Sequence, residues 1–242
     1  MEKIIFLKYR AINKYLFDSL SNSTLYFSSR EKLNDPFDCN INLQKAIESA
    51  IIKLSEEDSQ NLQNFLSQGH IVEKFQNNIG KLGVCSFTLE SQNTLMWSHY
   101  AGNHTGICLA YEFPMEFLQD GDVFFGVDAI KYKDDGLTDW LVENHGLYKT
   151  NNDYFFATLL TVFLTAKSPS WKYEGEARII RNEQGPFQIP KEYLKQIYFG
   201  LNTKEEDKKT IFKIVNEAYD HKVTYCQIER TDKDFGIKSK KI

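Results

Sequence analysis

Two clusters in this 242-residue chain have residue types and spacings suited to chemistry. The first is Met96-Trp97-Ser98-His99-Tyr100-Ala101-Gly102-Asn103-His104-Thr105-Gly106. It holds two of the five histidines and one of the three tryptophans. Buried His, Ser and Tyr each need a hydrogen-bond partner, so the block cannot all be core. Met, Trp and Tyr are too apolar to be left exposed together. Apolar bodies with polar tips crowded at one point describe a pocket wall. The second cluster is Glu174-Gly175-Glu176-Ala177-Arg178. On a strand, residues two apart face the same side. A carboxylate pair so placed can hold ribose hydroxyls and stabilise an oxocarbenium-like transition state. The same spacing serves equally well for a structural ion pair between Glu176 and Arg178.

Other candidates carry two readings each. Asp35 and Asp38 flank Pro36-Phe37, either as an Asx-type turn capping backbone amides or as catalytic carboxylates. Arg10 fits a phosphate through its planar fork, or a carboxylate partner in the core. Trp97 and Trp171 serve as core or as stacking platforms. His99 and His104 are five apart, not the four that puts two metal ligands on one helical face. A metal site therefore needs them to meet Asp35, Asp38 and Glu176 in space, and no metal is expected.

Periodicity outlines the strands and helices that carry these groups. Residues 4–9, 24–28, 83–88, 107–113, 127–132, 176–181, 197–201 and 224–230 read as strands. Residues 13–21 and 204–220 read as helices, with Asn13 as an N-cap. Residues 137–166 read as helical with a break near Gly146 and a stop at Lys167-Ser168-Pro169. The polar stretch 43–79 has a thin apolar stripe (Ile47, Ile51, Leu54) and reads as a helical insertion on the surface. Residues 238–242 read as a frayed basic tail. Strands and helices mix without regular βαβ alternation, so the expectation is one α+β domain over 1–242, its mixed or split antiparallel sheet flanked by helices.

Composition narrows the class. Apolar residues at 42% and charged residues at 26% are ordinary for a soluble globular protein. A net charge of −4 gives no global attraction to nucleic acid. The four cysteines, Cys39, Cys85, Cys108 and Cys226, form no Cys-x-x-Cys pair and sit among apolar neighbours. That argues against a cysteine zinc site or disulfides and for a reducing compartment. No apolar run approaches the roughly 20 residues of a membrane span, and the N-terminal run is too short for a signal peptide. A cytoplasmic protein without a membrane partner is expected; the oligomeric state is open.

Three signatures occur in a fixed order: Asn34-Asp35-Pro36-Phe37-Asp38, then Met96-Trp97-Ser98-His99-Tyr100 with His104 and Gly106, then Trp171-Lys172-Tyr173-Glu174-x-Glu176-x-Arg178-Ile179-Ile180. With Lys8-Tyr9-Arg10 and Leu25-Tyr26-Phe27-Ser28-Ser29, they resemble the bacterial family of domain of unknown function 2971. The resemblance runs from about residue 5 to about residue 200, and the family name carries no activity. Arg10, Tyr26-Phe27-Ser28-Ser29 and Glu174-Gly175-Glu176 also resemble, in order, the three-point pattern of the ADP-ribosyltransferase fold. That likeness implies a clamp-like split sheet and NAD as a substrate, in ADP-ribosyl transfer or NAD cleavage. It also implies a role as a toxin or in defence against phage. Catalysis would then fall to Glu176 orienting the ribose, His99 positioning acceptor or amide, and Arg10 holding the pyrophosphate. Tyr26, Phe27, Ser28, Asp35, Asp38, Trp97, Tyr100, Glu174 and Arg178 would line the substrate site. A protein or nucleic acid would be the acceptor. Two other readings stay open: a non-catalytic module binding a nucleotide or nucleic acid on its aromatic block, and a metal-dependent hydrolase.

Overall fold

The computed structural model describes residues 2–68 and 71–242. Its elements run β1 (Lys3–Arg10), α1 (Lys14–Asn22), β2 (Thr24–Phe27), α2 (Leu43–Lys53), α3 (Glu56–Gln68), α4 (Ile71–Ile79), β3 (Gly83–Thr88), α5 (Thr94–Tyr100) and β4 (Ile107–Pro114). Then come α6 (Met115–Leu118), β5 (Phe124–Ala129), β6 (Lys131–Tyr132), α7 (Gly136–Glu143), α8 (Asn152–Thr165) and β7 (Ala166–Lys167). The chain closes with β8 (Glu176–Arg181), β9 (Gly185–Gln188), β10 (Leu194–Phe199), α9 (Glu205–Ala218), β11 (Thr224–Arg230) and β12 (Ile237–Lys241).

One eight-stranded sheet, ordered β12-β11-β10-β4-β1-β3-β8-β5, organises the α+β fold. It is antiparallel except at β10–β11, where α9 makes the parallel crossover. Its two faces are distinct. Phe6, Leu109, Tyr111, Phe113, Phe87, Ala177 and Ile179 line one face and pack with Leu16 and Leu20 of α1 and Ile211 and Val215 of α9. On the other face, Leu7, Tyr9, Cys108 and Ala110 lie under Met96 and Trp97 of α5. Further along that face, Val84 and Ile180 lie under the helical layer that includes α2, α4, α7 and α8. Burying roughly 0.8 kcal/mol per methylene, these two layers supply most of the driving force that fixes the sheet.

The sheet is weakly joined at one place. β1 pairs along its whole length with β4, yet meets β3 only at Leu7↔Thr88. Beyond that position β1 and β3 part, and the free end of β3 is taken by Ser28, which bridges to Val84. The opening between β1 and β3 lies beside the groups described below.

Several expected elements differ in the structure. Residues 43–79 form three helices, and they bury more than a thin stripe: Ala46, Ala50, Leu62, Phe75 and Ile79 join the core. Gly69 and His70 of that stretch lie outside the described residues. Strand 127–132 is two strands, because Ile130 donates its N–H to the Glu176 carbonyl and the chain then turns to pair with β7. The basic C-terminus is not frayed. It forms β12 on β11, with Lys238 and Lys240 reaching Asp232 and Glu229. Lysines on an exposed edge strand discourage further pairing.

Candidate functional site

Between Thr165 and Glu176 the chain makes the turn that builds the site. Lys167 ends β7, Ser168 caps a 3-10 helix with Pro169 at its first position, and Gly175 closes it in the left-handed region (φ 50°). The turn allows both glutamates to face one ammonium. Lys167 Nζ donates to Glu174 Oε2 at 2.5 Å and to Glu176 Oε2 at 2.7 Å, with Asp38 Oδ2 at 3.5 Å. Glu174 thus converges with Glu176 through a helix-to-strand kink rather than along one strand.

Arg178 lies beneath, with no exposed surface. Its Nε donates to Glu176 Oε1 at 2.7 Å, one terminal nitrogen to Asp38 Oδ2, and the other to the Leu164 carbonyl and Cys39 Sγ. Every branch of the guanidinium is occupied and it does not line the cavity, so it acts as support and not as a ligand contact. The ion pair that the sequence left as one of two readings is present. Asp38 is presented by the turn 35–39, in which Asp35 Oδ1 accepts the Phe37 N–H at 2.9 Å and Cys39 takes φ 53°. Asp35 therefore has the Asx-turn role.

Tyr100, at the end of α5, completes the ring. Its hydroxyl donates to Glu174 Oε1 and accepts the Asn34 amide at 3.0 Å. The three sequence signatures thus meet through Asn34, Tyr100, Glu174, Arg178 and Asp38. Around them is a cavity of about 120 Å³, lined also by Leu7, Lys8, Phe87, Thr88 and Met96, which reaches the surface at Asn34. It opens at the seam where β1 leaves β3.

The electrostatics of the two glutamates diverge. Burial raises the Glu174 carboxyl above the ordinary range, and the hydrogen bonds from Lys167 and Tyr100 only partly offset this. Burial also works against the Glu176 carboxylate, but Arg178 and Lys167 outweigh it and hold the group down at about 2. Burial lowers the Lys167 ammonium, and the facing carboxylates Glu176 and Glu174 more than reverse this. With all five groups charged, three carboxylates face two cations, leaving one net negative charge.

Other expected site residues lie elsewhere. Leu7 pairs with Thr88 and Thr88 with Glu176, so these share a face. Arg10 has the parity of Phe6 and projects to the opposite face, near Tyr111. Arg10, His99 and Glu176 therefore do not line one cleft. His99 is exposed on the outer side of α5 against Tyr173. Trp97 is core: it stacks edge-on with Tyr9 at 5.1 Å and donates its Nε1–H to the Ser91 carbonyl. Phe27 is buried with Phe124 and Phe187, Tyr26 is exposed, and Ser28 contributes its backbone bridge. The histidines do not converge with the aspartates, because His104 Nε2 is bound to Ser98 Oγ at 2.9 Å. Among the described residues no group of three His, Cys, Asp or Glu could hold a metal ion.

Sequence reasoning missed Lys167 and Lys8. A single lysine closing the most apolar segment of the chain, 159–166, and a lysine between two core residues of β1 were the available signals. Among the described residues no helix is long and apolar enough to cross a membrane. Neither the curated proteins nor the solved structures include a match to this chain. Residues 96–179, which hold the second signature, Lys167 and the third signature as far as Ile179, match the model of the family described as protein of unknown function (DUF2971).

Proposed function

We propose that the cavity catalyses displacement at the glycosidic carbon of a cationic N-riboside, with NAD as the substrate and water or a group on a second molecule as the acceptor. The observation that carries this reading is the paired carboxylates Glu174 and Glu176, which share one cavity and have acidities pushed in opposite directions. Such divergence marks a division of roles between two acids.

Glu176, held ionised, stabilises the positive charge that develops on the ribose carbon. Glu174, with a raised pKa, takes the proton of the attacking group. The C1′–N bond breaks with its electron pair passing to the nicotinamide nitrogen, which leaves neutral. The water oxygen bonds to C1′, and its proton passes to Glu174, steadied by Tyr100. The net negative charge of the cluster suits a ligand whose reacting ring is cationic. The cavity is smaller than the roughly 300–1,000 Å³ of sites that bury drug-sized ligands. We place the N-riboside end of the ligand at this cavity and the adenosine half of the dinucleotide outside it.

Four buried, unpaired cysteines agree with a reducing compartment where NAD is available. The test is nicotinamide release from NAD by the wild type and by Glu174→Gln. Binding of NAD without release would instead favour the non-catalytic nucleotide module.

A further inference from the structure

Lys8 is the group at this site that the proposed chemistry does not use. Strand parity directs it toward the face of Phe6, yet it lines the cavity, because β1 and β3 separate beyond Leu7 and Thr88. Its Nζ donates to the Ser86 carbonyl at 2.8 Å and lies 5.0 Å from the centre of the Phe87 ring. In a continuous ladder that carbonyl would face a backbone N–H of β1; here the ammonium takes it. The two cavity lysines differ in their partners. Lys167 has three carboxylates within 3.5 Å. Lys8 pairs with no carboxylate among the described residues. Its charge is half-buried and uncompensated.

The cavity is therefore dipolar, with a carboxylate wall at Glu174 and Glu176 and, on β1, an ammonium that has only a backbone carbonyl as partner. Ser86 and Thr88 line the same space, Thr88 at the carboxylate end as the cross-strand partner of Glu176, where its Oγ1 accepts the Glu90 N–H. We infer that the ligand is zwitterionic: a cationic N-ribosyl ring faces the glutamates, and its 5′-phosphate sits on Lys8. This rests on the N-riboside reading above and goes beyond it by naming the anion anchor and the selectivity it imposes. A charge-assisted bond from an ammonium to phosphate is worth roughly ten- to a hundredfold in affinity. A riboside lacking the phosphate leaves Lys8 unpaired.

Calorimetric titration of the whole chain with nicotinamide mononucleotide and with nicotinamide riboside tests this. Wild type should bind the mononucleotide at least about tenfold more tightly, and the preference should shrink as salt rises. Lys8→Met, which keeps an apolar stem over Phe87, should bind both ligands alike. Lys8→Arg should restore the preference. A thermal melt on each variant separates loss of fold from loss of the anchor. The inference is overturned if wild type binds the two ligands equally, binds neither, or keeps its preference in Lys8→Met. Nicotinamide release by the same preparations reports on cleavage separately. Phosphate-dependent binding without release sinks the enzyme reading and leaves the anchor. Release with Lys8-independent binding does the reverse.

Discussion

At the scale of residues, the two glutamates are not equivalent. Glu176 is locked between Arg178 and Lys167, so Glu176→Gln leaves a buried guanidinium short of an anion. Such a loss costs on the order of 3–5 kcal/mol, and a chemical-denaturation midpoint should fall accordingly. The pH dependence follows the sign of the shift. The Glu176 pKa is depressed from 4.5 to about 2, so its stabilisation is present above pH 4.5 and is lost as pH falls toward 2. Its size is on the order of a few kcal/mol. Glu174 has the opposite sign: its pKa is raised, so its contribution declines as pH rises out of the ordinary carboxylate range. Urea unfolding between pH 2 and 6 should show an acid-side loss in the wild type that flattens in Glu176→Gln; an unchanged slope would contradict the pairing. The sequence showed these acids and their spacing. It did not show the role of Lys167, which lies just before the third signature, because a buried ammonium becomes tolerable only when folding brings three carboxylates to it.

At the scale of elements, α5 and its following turn hold Tyr100 against Glu174, and close backbone approach fixes that turn. A Cβ on Gly106 would lie 2.3 Å from the Arg10 carbonyl oxygen and 2.7 Å from that of Ala101. Both are backbone atoms and cannot rotate away. Gly106→Ala should therefore destabilise the protein by roughly 1–3 kcal/mol and loosen α5. A thermal melt within a degree of wild type would show that the turn has more room than this geometry allows. The long strands and helices were legible because periodicity and caps report local structure: Asn13 does cap α1, accepting the Leu16 N–H. The seam between β1 and β3 was not legible. Nothing in residues 3–10 or 83–88 distinguishes a strand that pairs along its length from one that pairs at a single position. That outcome is decided by Ser28 taking the edge at Val84. For the same reason Arg10 and Lys8, two apart on β1, could not be assigned to cavity or opposite face from sequence.

At the scale of the whole molecule, the four cysteines lie in separate parts of the core and none is exposed. Burial pushes the Cys39 thiol up to about 12 despite the neighbouring Arg178. Thiol titration should accordingly be slow in native buffer and reach four equivalents in denaturant. Fewer than four in protein from a reducing cell would count against the assignment. The sheet carries an ionic cluster on one face and a cavity at the seam between β1 and β3; the family-matched segment 96–179 holds Tyr100, Lys167, Glu174, Glu176 and Arg178, while β1, β3 and Asp38 lie outside it. In the proposed reaction Glu174 and Glu176 divide the work of a glycosidic displacement at that cavity. Nicotinamide release from NAD by wild type and Glu174→Gln tests it most directly. Wild type should release measurable nicotinamide, and the variant should lose roughly 100- to 10,000-fold, the range of a lost proton-transfer group, with an unchanged fold. No release by the wild type with water or any acceptor, or full activity in Glu174→Gln, would contradict it.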